Sequence, residues 1–271
     1  MRSNLTLRIA SAIVLAPIAI AAAWFGGWLF VGFWFAAAVA VLWEWLSLTG
    51  ARASRLLFPS AALALAVTAL VAGRERPLAA MLVVLLGAIA VAVFAPSERR
   101  SWVMGGVVYA GALLLAPVLL RADAQLGFAA IVFLFGVVWA TDILGYFVGR
   151  AVGGPKLAPA ISPGKTWAGA IGGTAAAIGV AYVGARLLGA SGGPLALIVL
   201  AVLLSIVAQC GDLLESWIKR RFDAKDASHI IPGHGGVMDR LDGFWAAALV
   251  AAIIGILRGG FEAPARGLLL W

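Results

Sequence analysis

Asp212, Glu215, Ser216 and Lys219 recur at i, i+3, i+4 and i+7, which sets four chemically active side chains on one face of any helix that runs through them. They continue an apolar run that begins near Pro194, so carboxylates stand at the mouth of an apolar helix. Ionisable residues at that depth point to function by default. Asp239 and Asp242, also three apart, share a face at the start of the next apolar run. Between the two sets lies Pro232-Gly-His-Gly-Gly236, a segment with so little side-chain bulk that backbone can approach a ligand and offer N–H groups to an anionic oxygen. The stretch from Gly211 to Gly243 holds six of the chain's twelve acidic residues. Carboxylates with Lys219, Arg220, Lys225 and Arg240 beside them suit a hard divalent cation plus phosphate, because Mg2+ is usually held by one or two carboxylates, water and substrate phosphates. The competing reading, interfacial salt bridges and helix caps, stays open on the residues alone.

A second polar stretch contains Ser162-Pro-Gly-Lys-Thr-Trp167. Gly-Lys-Thr resembles the end of a phosphate-binding P-loop, but the glycine required five positions earlier is Pro159 and no strand precedes it. The expectation is a helix start, with Ser162 as N-cap and Pro163 at the first helical position. Ser162, Lys165 and Thr166 would then form an anion site, since a helix N-terminus beside a Lys attracts negative charge. Asp142, Tyr146 and Gly149 recur along one face of an earlier apolar run; Asp142 is expected to point into a helix bundle, as a ligand contact or as a hydrogen-bonding partner. Glu44, between Trp43 and Trp45, reads as snorkelling or pairing at least as readily as catalytic. Gly169 and Gly173 form a GxxxG packing face. His229 and His234 do not make a zinc site, having neither Cys nor HExxH spacing with them.

The elements that must position these groups are set by composition. Hydrophobic residues make up 63% of 271 positions and charged ones 12%, the balance of an integral membrane protein. The lone Cys210 excludes a disulfide framework. A net charge of +8 does not imply nucleic acid, because the Lys and Arg are scattered over short loops, and the eleven Trp residues fit interfacial anchors. Nine segments approach the length of about 20 residues that spans a bilayer: 9–25, 28–48, 56–72, 78–95, 102–120, 126–148, 168–188, 194–216 and 244–260. None alternates as a barrel strand would, so the expected fold is all-α, a polytopic helical bundle of about nine transmembrane helices. The chain reads as a single transmembrane domain over 1–271, with N-terminal spans in 1–125 and catalytic spans and loops in 126–260. With the N-terminus inside, fourteen of the twenty Lys and Arg residues fall on the inner side, which puts loops 149–167 and 217–243 in the cytoplasm. The first span, opened by Arg2 and Arg8, is read as uncleaved.

At this point the residues resemble one family closely, the phosphatidate cytidylyltransferases, or CDP-diacylglycerol synthases. The family signature stands here as Ser216, Ile218, Lys219-Arg220, Lys225-Asp226, Ser228, Ile231-Pro232, His234-Gly235-Gly236, Asp239-Arg240 and Asp242, matched at every fixed position. The SPGKTW loop, Asp142 to Arg150 and Arg8 also look like the family, so the resemblance runs from end to end. Three positions depart from it: Ala168 where members usually carry Glu, Gly243 where Ser is common, and Gly145 where Ala is common.

The resemblance implies that a phosphatidate oxygen attacks the α-phosphorus of CTP, giving CDP-diacylglycerol and pyrophosphate, with Mg2+ as cofactor and room for a second divalent or a monovalent cation. On that basis Asp212 and Asp239 are expected as main metal ligands and Asp226 and Asp242 as second ligands or orienting groups. Lys219, Arg220, Lys225 and Arg240 would neutralise phosphate charge. Asp142, Ser162, Lys165, Thr166, Ser216, His234, Gly235 and Gly236 would contact substrate. The expected setting is a bacterial-type inner membrane with the site facing the cytoplasm, and small-residue faces permit a homodimer. The alternatives are an ion-coupled transporter, whose charges should gather nearer the midplane than these do, and a related CTP-dependent lipid kinase.

Overall fold

A computed structural model of the chain describes residues 2–51, 54–187, 194–228, 230 and 235–271. The helices are α1 (Arg2–Phe25), α2 (Gly27–Leu48), α3 (Leu57–Ala72), α4 (Pro77–Ala92), α5 (Arg100–Arg121), α6 (Gly127–Val152), α7 (Trp167–Leu187), α8 (Pro194–Arg221), α9 (Met238–Gly259) and the short α10 (Pro264–Leu269). A two-stranded antiparallel hairpin, β1 (Lys156–Ala158) and β2 (Ser162–Thr166), lies between α6 and α7. The protein is all-α and polytopic, as its apolar runs require. Each expected segment is helical, and among the described residues six helices, α2, α5, α6, α7, α8 and α9, have the length and composition to cross a membrane. α3 and α4, at 16 residues each, fall just below the usual crossing length of about 17 to 25 residues. Large side chains such as Leu63, Leu82, Leu85, Ile89 and Val93 are exposed along them, as a surface solvated by lipid allows.

The described residues form two compact units, Met1–Ala122 with Arg221–Arg240, and Asp123–Arg220 with Leu241–Trp271. In the first unit α2 supplies much of the core, with Phe30, Trp34, Leu42 and Leu46 almost fully buried, joined by Leu65 of α3 and Leu113, Leu114 and Leu120 of α5. The α1–α2 corner turns at Gly26 and Gly27, both at positive φ (62° and 55°), which only glycine adopts at no steric cost. Arg121 closes that corner, its Nε donating to the Ala23 carbonyl at 2.5 Å and its Nη2 to the Trp24 carbonyl at 3.1 Å, so the orphan carbonyls of the α1 end are satisfied. Trp45 donates from Nε1 to the Trp102 carbonyl at 2.8 Å and its ring packs against Tyr109, locking α2 to α5.

In the second unit α6 and α7 pack backbone to backbone. A Cβ added at Gly149 would lie 3.3 Å from the Gly169 Cα, and one at Gly173 would collide with the Thr141 carbonyl oxygen, so the GxxxG face is a packing face as its spacing predicts. Hydroxyls stitch three helices together: Thr141 Oγ1 lies 2.9 Å and Thr174 Oγ1 3.1 Å from Ser205 Oγ, and Gln209 Nε2 donates to Thr174 Oγ1 at 3.2 Å. A polar set of this kind satisfies itself across helices that lipid cannot solvate. The α8–α9 crossing is also built on glycine, since a Cβ on Gly211 would sit 2.6 Å from both the Ala246 Cβ and the Asp242 carbonyl oxygen. At the far end Arg266 joins α10 to the start of α6, its backbone N–H and Nε reaching Asp123 Oδ2 at 3.1 and 3.2 Å.

Two features depart from expectation. Ser162 does not cap a helix; it pairs with Ala158 in the hairpin, and the helix opens at Trp167, five residues later. The cap is Thr166, whose Oγ1 accepts the Gly169 N–H at 3.1 Å. Proline at 155, 159 and 163 explains the change, because the residue before each proline is driven out of the helical region, leaving strand, turn and strand until Thr166.

Candidate active site

The second unit holds one set of the expected residues. α8 runs unbroken to Arg221, so Asp212, Glu215, Ser216 and Lys219 do share a helix face. Glu215 is 1% exposed and pairs with Lys219, Nζ to Oε2 2.6 Å. Asp212 is paired from the hairpin instead: Lys165 Nζ stands 2.6 Å from Asp212 Oδ2, while Ser216 Oγ donates to Asp212 Oδ1 at 3.4 Å. The hairpin is held for that task by the Trp167 N–H, which donates to the Pro155 carbonyl at 3.1 Å, and by Thr166, which is buried in the α6–α7 contact. The Thr166 hydroxyl oxygen therefore has a structural partner already, whereas Lys165 is directed to the carboxylate on α8.

Asp142 is exposed on α6, and Asp242 is half-buried near the start of α9. Asp142, Asp212, Glu215 and Asp242 all belong to this unit, where Lys165 pairs with Asp212 and Lys219 with Glu215. Carboxylate oxygens are hard donors of the kind a divalent cation such as Mg2+ takes. Among the described residues no three Asp, Glu, His or Cys side chains close on one point as a complete protein cage would, and Mg2+ bound partly by phosphate needs no such cage. Tyr146 accepts from Arg150 Nη1 at 2.9 Å on the exposed side of α6.

The first unit holds the other set. After α8 the chain is gripped at Phe222, whose ring meets Trp102 edge-on at 4.8 Å with the Arg99 guanidinium 5.4 Å above it. Lys225, Asp226 and Arg240 are exposed. Asp239 is half-buried and organises the loop: its Oδ2 accepts the Ala227 N–H at 3.0 Å and the Gly236 N–H at 2.7 Å. Gly235 takes positive φ (81°), and Gly236 is buried. His234, with His229, Ile231, Pro232 and Gly233, lies outside the described residues.

One residue is weightier than its sequence reading. Glu44, fully buried on α2, accepts the Ser228 hydroxyl at 2.5 Å and the Val237 N–H at 2.8 Å through Oε1, and the Met238 N–H at 2.6 Å through Oε2. The signal available was a lone carboxylate in an apolar helix, which by itself names no partner 184 to 194 residues away. Two departures from the family pattern also gain a physical setting: a Cβ at Gly145 would lie 3.3 Å from the Gly169 carbonyl oxygen, and one at Gly243 would lie 3.2 Å from that of Ala208. Ala168 is half-buried in the first turn of α7.

A family model described as the cytidylyltransferase family matches residues 6–257. The chain is 46% identical over 264 residues to a phosphatidate cytidylyltransferase of Brucella suis biovar 1 (strain 1330), covering 97% of each chain. It is 36% identical over 277 residues to the phosphatidate cytidylyltransferase of Pseudomonas aeruginosa, covering 95% of this chain and 98% of that one. The protein of the same name from Bacillus subtilis is 38% identical over 137 residues, 51% of each.

Proposed function

This chain belongs to the cytidylyltransferase family, and we propose that it transfers a cytidylyl group from CTP to phosphatidate, yielding CDP-diacylglycerol and pyrophosphate for phospholipid synthesis. The observation that carries the reading is the Lys165–Asp212 pair, since it joins the SPGKTW hairpin and the α8 carboxylates, two stretches of the family pattern that lie far apart in sequence. The names of full-length relatives support the same substrates.

A phosphatidate oxygen attacks the α-phosphorus of CTP, the bond from that phosphorus to the bridging oxygen breaks, and pyrophosphate leaves. The lipid phosphate is the nucleophile, so no side chain forms a covalent intermediate. The protein's work is positioning and charge stabilisation, as is usual in transfer at phosphorus. Lys165, Lys219, Arg220, Lys225 and Arg240 bind and neutralise the triphosphate and the lipid phosphate, with Ser162, Ser216 and His234 as further contacts. The apolar exterior holds the diacylglycerol moiety in the bilayer. Asp212 and Asp239 would be the main Mg2+ ligands, with Asp226 and Asp242 as second ligands or orienting groups and Asp142 as a substrate contact. When bound, the ion supplies a clamp on phosphate oxygens that offsets charge developing on the leaving group. Substrate binding would exchange partners at Asp212: Lys165, now on the carboxylate, turns to a phosphate oxygen.

The reaction is tested by following pyrophosphate released from CTP by the purified protein. Release that requires both phosphatidate and Mg2+ supports it, and release indifferent to phosphatidate sinks it. The proposed setting is a bacterial-type cytoplasmic membrane with loop 222–237 on the cytoplasmic side. A Cys at exposed Ile230, in a Cys210→Ala background, should react with an impermeant thiol reagent only after inverted vesicles are used. Labelling in intact cells would reverse the orientation.

A further inference from the structure

α9 opens without a side chain able to cap it in the usual way, because Val237 stands immediately before its first residue. Its leading N–H groups are satisfied from another helix instead. Glu44 takes the Val237 and Met238 amides, one on each oxygen, and Asp239 takes the Gly236 amide, so three successive amides each end on a carboxylate. Glu44 also holds Ser228 on the other limb of the loop, and Asp239 holds Ala227 beside it. The two carboxylates thus staple the loop's beginning to its end.

The glycine at 236 follows from the same arrangement. It is not at positive φ, so backbone freedom does not demand glycine there. A Cβ would instead lie 2.7 Å from Glu44 Oε1, 2.9 Å from Glu44 Cδ and 3.0 Å from Asp239 Oδ2. Gly236 makes room for the Glu44 carboxylate. A buried carboxylate is costly to desolvate and persists only when hydrogen-bonded, and here three donors meet it.

We propose that Glu44 is a positioning residue for the transfer reaction: it braces the Gly235–Met238 turn and thereby fixes the direction of Asp239. The inference rests on the reaction assigned above. The amides of 236, 237 and 238 then serve the brace and not the phosphates, so anion binding in this loop falls to the exposed cations Lys225 and Arg240. Glu44→Gln removes the charge and turns an NH2 group toward an amide it should accept from. Glu44→Asp keeps both acceptor oxygens but withdraws them by one methylene.

Full-length protein in lipid nanodiscs is the material for the test, with amide hydrogen exchange and steady-state kinetics measured on wild type and both variants. Glu44→Gln should speed exchange at 236–238 by about tenfold or more while α5 keeps its protection, since a hydrogen bond to a charged group is lost locally. It should also lower kcat by about ten- to a hundredfold and raise the half-saturating Mg2+ concentration, with Glu44→Asp falling between Gln and wild type. Unchanged exchange at 236–238, a Gln variant with wild-type kcat, or exchange that rises equally throughout α1–α5 would overturn the proposal. A wild-type enzyme that makes no CDP-diacylglycerol would refute the reaction itself, and the exchange comparison would still decide whether Glu44 braces the turn.

Discussion

Replacing Lys165 with Met removes the positive member of the contact that joins hairpin and α8, at nearly constant side-chain length. At 2.6 Å two unit charges attract by about 6 kcal/mol with an effective dielectric of 20. The side chains are 25% and 33% exposed, so solvent screening and desolvation reduce the net contribution to stability to about 1–2 kcal/mol. A purely structural ion pair would therefore lower thermal stability modestly and disturb turnover little. If Lys165 also neutralises a phosphate oxygen in the transition state, Lys165→Met should lower kcat/KM by about a hundredfold or more, about 3 kcal/mol. The assay is CDP-diacylglycerol formation at varied CTP, with the melting curve of each variant taken in the same detergent. Lys165→Arg, which keeps charge but not the ammonium geometry, should fall between. A Lys165→Met enzyme within about threefold of wild type, alongside the expected loss of stability, would refute the exchange of partners at Asp212 and leave the pair a strut.

Other consequences concern the frame around the site. Gly173→Ala should destabilise the protein by about 1–3 kcal/mol, because its Cβ meets the Thr141 backbone, whereas Gly179→Ala in the same helix faces open space and should be neutral or slightly stabilising; equal melting points for the two would contradict the α6–α7 packing. Arg266→Met should cost about 1–2 kcal/mol by removing a side-chain partner of buried Asp123. That contribution depends on pH in a defined direction. Burial acts to raise the Asp123 pKa, but the Leu126, Gln125 and Arg266 amides and the Arg266 side chain outweigh it, holding the carboxyl below its ordinary 3.8. A depressed carboxyl contributes fully above its unfolded value and loses that contribution as pH falls through the lower folded one. The stability gap between wild type and Arg266→Met should thus hold steady from about pH 7 to 5 and close only below about pH 4; a gap already gone at pH 6 would argue against the latch.

What could be read from the chain alone divides along physical lines. Apolar runs become helices because backbone in lipid must bond within its own segment, so segment positions were legible, and the i, i+3, i+4, i+7 face of α8 survives because the helix does not stop at Ser216. Lengths were less legible: α3 and α4 end at 16 residues each, where flanking Gly, Arg and Pro break the run. The hairpin was missed because Pro163 was read as a helix-start signal, when the stronger effect of Pro155, Pro159 and Pro163 is on the residue before each. The pairing of Lys165 with Asp212 and of Glu44 with the amides ahead of α9 could not be read, since each joins residues that only tertiary packing brings together. Gly169 and Gly173 were legible as packing residues in kind, but their partners, the Gly145 and Thr141 carbonyls, are set by the helix crossing, as is the close approach of Gly211 to the Asp242 carbonyl.

The most direct test of the central claim is to supply the purified protein with phosphatidate and Mg2+, using CTP labelled in one reaction at the α-phosphorus and in another at the γ-phosphorus, beside an Asp239→Asn variant. The account predicts that α-label alone enters the lipid, as CDP-diacylglycerol, and that the variant loses this incorporation. Label entering from the γ-phosphorus would make the protein a lipid kinase, and α-label incorporated equally by Asp239→Asn would remove that residue from the site.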